Sequence, residues 1–138
     1  MIKEFDLGVF RRKFWVAINP EFEEMKEKLL YLSSRDEYIE LLSYTYDDMK
    51  VDDGGLFRVI TKEDGEKGYL LFIEDKPDDI VDLVDTISHE SGHLSDRLIE
   101  DISEEKVGTE TNSHIIGYVA GKVMETILEY RKQKEETA

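Results

Sequence analysis

The chain lacks cysteine and has little positive charge. Its 138 residues include no cysteine, 18 Lys and Arg and 33 Asp and Glu, for a formal net charge of −15. The missing cysteines exclude disulfides and thiolate metal sites, so any transition-metal site must use histidine and carboxylate ligands. The acidic charge argues against binding to nucleic acid or an anionic membrane, because phosphate contacts need clustered Lys and Arg.

The chain also lacks a long apolar run. No stretch could span a bilayer, and the N-terminal segment MIKEFDLGVFRRKFWV has no uninterrupted apolar run of signal-peptide length. Internal repeats and domain linkers are missing as well. We therefore expect a soluble cytoplasmic protein that folds as a single domain over residues 1–138.

The first half of the chain predicts strands and one helix. RRKFWVAI (11–18) is typical of a strand, and the apolar spacing after Pro20 predicts a helix over 20–32. Residues 33–55 are ambiguous. LFRVITK (56–62) and GYLLFIED (68–75) flank a polar turn, which indicates a β-hairpin.

The second half has helical periodicity. After Pro77 one apolar stripe predicts a long helix that ends near residue 102, formed by Ile80, Val84, Ile87, Leu94, Leu98 and Ile102. A second helix is predicted over 109–132 and, being apolar nearly all round in its middle, should be buried. This order predicts an α+β fold in which a small antiparallel sheet packs against helices.

The long helix carries the motif H-E-x-x-H at His89-Glu90-Ser91-Gly92-His93. Residues i and i+4 are neighbours on a helix, so both imidazoles can reach one metal ion. Glu90 is rotated by about 100° from His89, close enough to take a proton from a water whose pKa zinc lowers to about 7. The competing interpretation is that both histidines are structural or merely exposed.

A catalytic zinc site needs a third protein ligand. The metzincin extension of the motif is ruled out, because Asp96 and Ile99 occupy its later Gly and His positions. Gluzincins instead use a Glu from the next helix, and Glu110 lies at the start of that helix. His114, at i+4 from Glu110, could also point at the metal.

At these residues the sequence resembles the small zincin-like metallopeptidases encoded by phages and prophages. HESGH followed by ETNSHIIGYVAG is similar to their pattern, H-E-x-x-H and then E-x-x-A-Y-x-x-G-Y. Ser113 stands at the Ala position, Gly117 and Tyr118 match the Gly-Tyr pair, and His114 replaces the usual Tyr. The similarity covers about residues 85–121.

The resemblance implies roles for individual residues. His89, His93 and Glu110 would bind one Zn²⁺ per chain and Glu90 would be the catalytic base. A peptide or protein would be the substrate, and the host cytoplasm the location if the chain is phage-encoded.

Residues around the motif have competing interpretations. His114 and Tyr118 extend the stripe of Glu110 and could stabilise an oxyanion, or His114 could support a ligand; ordinary packing or exposure is the alternative. The small residues Ser113, Gly117 and Gly121, with Gly92 opposite, predict close packing of the two helices that would bring Glu110 to the histidines.

The favoured function is zinc-dependent hydrolysis of peptide bonds, with the peptide along a strand edge of the hairpin. Two alternatives from other classes stay open. One is a catalytically silent, metal-stabilised phage structural or assembly protein. The other is an acidic interaction module, such as a mimic of DNA, in which the histidines are incidental.

Overall fold

The protein's structure, a computed structural model, describes residues 1–10, 12–21, 23–24, 54–61, 67–102 and 109–137, without the side chains of Val9, Thr61, Lys67, Thr109 and Glu110. Four strands and two long helices confirm the α+β class. Of the predicted helix over 20–32 the structure describes residues 20, 21, 23 and 24, of which 23–24 are helical, and the rest lies outside the described residues. So do nearly all of the ambiguous region 33–55 and the hairpin turn.

The strands are β1 (Ile2–Asp6), β2 (Lys13–Ile18), β3 (Gly55–Thr61) and β4 (Lys67–Ile73), in the spatial order β1-β2-β4-β3. The predicted hairpin is confirmed, because β3 and β4 pair antiparallel. The prediction of an antiparallel sheet is wrong, since β2 and β4 pair in parallel. These two strands are the most apolar and are buried on both faces, which favours central positions in the sheet.

The strand β1 was not predicted from the sequence. It pairs antiparallel with β2, and its apolar residues Ile2 and Phe5 are three positions apart, so apolar and polar residues do not alternate along it. A 3₁₀ turn, Gly8–Phe10, joins the two strands. Gly8 has a positive φ of 60°, which favours glycine, and its amide donates a hydrogen bond to Asp6 Oδ1 at 2.7 Å.

The first helix, α1 (Ile80–Ile102), confirms the predicted long helix. Asp79 caps its N-terminus, because Asp79 Oδ1 accepts a hydrogen bond from the amide of Asp82 at 3.1 Å. The predicted stripe is wrong at its start, where Ile80 and Val84 are 54% and 50% exposed. Leu83 is fully buried there instead, whereas Leu94 and Leu98 of the stripe are buried as predicted.

The second helix, α2 (Thr109–Thr137), is longer than predicted and buried on one side only. Its buried side consists of Ile115, Val119, Val123, Thr126 and Ile127. Gly117, Tyr118 and Gly121 are exposed, so the prediction that this helix is buried nearly all round is wrong. In the described ranges, neither helix is long and apolar enough to cross a membrane.

The two helices lie side by side on the sheet. Helix α1 packs against β3 and β4, and α2 packs against β2. The helices meet where Ser95 Oγ donates a hydrogen bond to Asn112 Oδ1. The predicted interface of small residues is wrong, because a Cβ atom added at Gly92, Gly117 or Gly121 would have no neighbouring atom within 4 Å.

Candidate metal centre

His89 and His93 form a close pair on the outer surface of α1. Their Nε2 atoms are 3.0 Å apart, and their rings meet edge to face with centroids separated by 4.5 Å. Both side chains are exposed. The pair follows directly from helix geometry, because residues i and i+4 lie on consecutive turns of the same face.

An aromatic side chain of β3 contacts the imidazole of His93. The ring of Phe57 stacks on that of His93, with centroids 6.4 Å apart and an interplanar angle of 17°. Phe57 in turn stacks on the buried ring of Tyr69 in β4, at 6.0 Å and 24°. The histidine pair therefore lies beside β3, an edge strand of the described sheet. Sequence reasoning missed Phe57, because this contact depends on how the helix docks on the sheet.

A partly buried hydrogen-bonded network lies one to two turns after the histidines along α1. Tyr69 OH donates a hydrogen bond to Asp101 Oδ2 at 2.7 Å, and Arg97 Nε donates to Asp101 Oδ1 at 3.2 Å. Burial, and then the hydrogen bond to the Asp101 carboxylate, raise the pKa of Tyr69 well above its ordinary value. Arg97 follows His93 at i+4, so its position near the pair was readable from the sequence.

Glu90 lies between the histidine face of α1 and the sheet. It is 7% exposed and packs where α1 approaches β3 most closely. A Cβ atom added at Gly55 would lie 3.1 Å from Glu90 Cγ and would overlap Thr86 Cγ2, so only glycine fits there without movement. The carboxylate is thus on the side of α1 that faces β3, turned from His89 by about 100°.

The described packing places α2 on the other side of α1 from the histidines. Ser95, which contacts Asn112 of α2, is fully buried and follows His93 by two positions, a rotation of about 200° on a helix. The first turn of α2, which carries Glu110, joins α1 at that far side. The side chain of Glu110 lies outside the described residues, so its assignment as third ligand stays a prediction.

His114 and Tyr118 of α2 lie beside the 3₁₀ turn, apart from the histidine pair. Tyr118 OH donates a hydrogen bond to the backbone carbonyl of Asp6 at 2.9 Å, and its ring meets Phe14 edge to face at 6.2 Å. His114 and Tyr118 line a cavity beside the 3₁₀ turn. The structure does not bring these two residues to the histidine pair, and their predicted roles at a metal site have no support in this packing.

The described residues therefore bring together His89, His93 and Glu90, but not the complete predicted set. Among the side chains that the structure describes, no group of three or more His, Cys, Asp or Glu is placed to share one metal ion. Comparisons of the chain with models of protein families, with curated proteins and with solved structures find no match.

Proposed function

We propose that this chain is a zinc-dependent, zincin-like metallopeptidase of gluzincin type. One observation carries the proposal. Two imidazoles on consecutive turns of α1 present Nε2 atoms 3.0 Å apart, and the carboxylate between them in sequence, Glu90, is turned towards β3. H-E-x-x-H chemistry requires two imidazole donors at i and i+4 with a carboxylate beside the first, and this arrangement supports the proposal.

The spacing of the two nitrogens suits a shared zinc ion. Two imidazole nitrogens on one tetrahedral zinc lie about 3.3 Å apart, for Zn–N bonds of about 2.0–2.1 Å. The observed 3.0 Å differs by an amount that a small rotation of either ring removes. It also suits a hydrogen bond between two neutral imidazoles, so metal titration is needed to separate the two interpretations.

The remaining ligand is proposed from the resemblance. A catalytic zinc takes three protein ligands and leaves one position open. Glu110 is the candidate, and a carboxylate would partly neutralise the metal charge, which a third imidazole would not. When bound, zinc would lower the pKa of water and polarise the scissile carbonyl.

Glu90 is the proposed general base. Its burial against β3 keeps the carboxylate on the side of α1 where a peptide beside that strand would approach. It would accept a proton from the attacking water and later deliver it to the leaving amine.

The proposed substrate is an extended peptide or protein segment beside β3. Among the described strands, β3 pairs with β4 alone, and Phe57 from this strand stacks on His93. A peptide that paired with β3 by strand addition would therefore place its carbonyls near the histidine pair.

The test compares Glu90→Gln with the parent chain, each loaded with zinc, on a library of internally quenched peptides. We expect both proteins to bind one zinc ion, and only the parent to cleave peptides, because Gln keeps the shape of Glu but cannot accept the proton. Zinc should raise the thermal midpoint of both, and a chelator should lower it again.

Other outcomes favour other functions. Zinc binding by a parent chain that cleaves nothing would favour the metal-stabilised structural protein. A parent chain that binds no zinc, with a melting curve indifferent to metal and chelator, would favour the acidic interaction module. Equal cleavage by parent and Glu90→Gln would remove Glu90 from the base role.

A further inference from the structure

A concave site lies on the side of α2 that faces the 3₁₀ turn, away from the histidine pair. It is a cavity of about 330 Å³ between the 3₁₀ turn after β1 and the first turns of α2. This volume is at the lower end of the range for small-molecule sites, about 300–1,000 Å³. Its apolar wall is formed by Leu7, Phe10, Ile115 and the ring of Tyr118. The site therefore suits a ligand with a compact apolar body.

Among the residues that the structure describes, those that line the cavity offer few polar side chains and no Lys or Arg. The polar side chains beside that of Tyr118 belong to Asp6, Thr111 and His114. Asp6 is fixed at two points, because its Oδ1 accepts a hydrogen bond from the amide of Gly8 at 2.7 Å and its carbonyl accepts one from Tyr118 OH at 2.9 Å. Asp6 is thus fixed beside the cavity, with its carboxylate bonded to the amide of the lining residue Gly8.

The charge and the aromatic rings favour a cation over an anion. The chain has a net charge of −15, and an ammonium is attracted both to a carboxylate and to the face of a tyrosine ring. Lys122 Nζ lies 5.7 Å from the centroid of the Tyr118 ring, but it is paired with Glu125 at 3.0 Å, which offsets its charge.

We propose that this cavity binds a small amphipathic organic cation, a primary ammonium on a compact apolar or aromatic body. The ammonium would donate hydrogen bonds to the carboxylate of Asp6 and to the hydroxyl of Thr111. The body would contact Leu7, Phe10 and Ile115. The site is independent of the metal centre and gives His114 and Tyr118 a place in recognition of this ligand.

The experiment compares three probes that share one phenylethyl body: phenethylamine, 2-phenylethanol and 3-phenylpropanoate. Each is titrated into the ¹⁵N-labelled full chain at pH 7.5 with EDTA present, and amide shifts are followed by NMR. We expect phenethylamine to shift the amides of Gly8, Thr111 and Ile115 and to bind about fivefold more tightly than the alcohol, as one partly exposed charge pair allows. The carboxylate should bind least.

Two variants separate the site from the general acidity of the chain. Asp6→Asn keeps an oxygen that can accept the Gly8 hydrogen bond but removes the charge, and should weaken phenethylamine about fivefold without changing the alcohol. Asp96→Asn removes the same charge from an exposed position on α1 outside the cavity and should change neither. Thr111→Phe, which adds bulk at the cavity wall, should weaken all three probes.

Three results would overturn the proposal. Equal binding of all three probes would mean an unselective apolar cavity. Equal weakening by Asp6→Asn and Asp96→Asn would mean general electrostatic attraction. Shifts that do not map to the cavity would mean that the ammonium binds elsewhere. The spectrum of each variant also shows directly whether it is folded.

Discussion

The chain's three histidines are divided between the outer flanks of α1 and α2. His89 and His93 lie on α1 beside β3, with their Nε2 atoms 3.0 Å apart. His114 lies on α2 and faces the 3₁₀ turn that follows β1. The Ser95–Asn112 contact lies between these two flanks. The two proposals therefore assign the histidines to two sites with different chemistry, a donor pair for a metal and an apolar cavity beside Asp6.

The largest expected effect that separates the two flanks is on zinc affinity. His93→Ala removes one of the two proposed histidine ligands and should weaken zinc binding by at least about a hundredfold, since even loss of a supporting partner of a metal ligand costs about 10–100-fold. His114→Ala should leave the affinity unchanged. Competition with a chromophoric zinc chelator measures both.

The same titration applied to Glu110→Ala decides the third ligand. We expect severe weakening of zinc binding if Glu110 completes the site. Tight zinc in Glu110→Ala together with loss in His114→Ala would reverse the assignment.

The next effect is on stability and compares the packing of the two flanks. Gly55→Ala places a Cβ against Thr86 and Glu90, so it should lower the free energy of unfolding by about 1–3 kcal/mol. Gly121→Ala on the open side of α2 meets nothing within 4 Å and should raise it by about 0.5–1 kcal/mol, because alanine favours helix. Urea denaturation measures both. Equal effects of the two substitutions would contradict the close approach of α1 to β3.

The smallest effect concerns the hydrogen-bonded network of Tyr69, Asp101 and Arg97. Tyr69, which hydrogen-bonds to Asp101 and lies near the charges of Arg97 and Arg12, has a raised pKa in the folded chain. Above about pH 10 the unfolded chain loses the tyrosine proton while the folded chain keeps it, so the free energy of unfolding falls as pH rises, by up to about 1.4 kcal/mol per pH unit. The free energy of unfolding of Tyr69→Phe should fall less steeply over the same pH range. Urea denaturation between pH 9 and about pH 11 measures the slopes, and parallel slopes would show that Tyr69 titrates normally.

Local periodicity predicted what depends on one element. Helix α1, the β3–β4 hairpin and the proximity of His89 to His93 each follow from the spacing of a few residues, and all three are present. The strand β1 was missed, because its apolar and polar residues do not alternate and its pairing with β2 is what makes it a strand.

What depends on the docking of elements could not be predicted in the same way. The parallel pairing of β2 with β4 and the stacking of Phe57 on His93 join segments that are far apart in sequence. The glycines of α2 were expected at the helix interface because small residues permit close approach, but they face outwards. Residue size alone does not determine which side of a helix is buried.

The most direct test of the metal centre observes the imidazoles themselves. Long-range ¹H–¹⁵N NMR spectra resolve the ring nitrogens of all three histidines as zinc is added to the ¹⁵N-labelled chain. The account predicts that one equivalent of zinc moves the Nε2 signals of His89 and His93 and leaves those of His114 in place. Unchanged signals from His89 and His93, or a shift confined to His114, would contradict it.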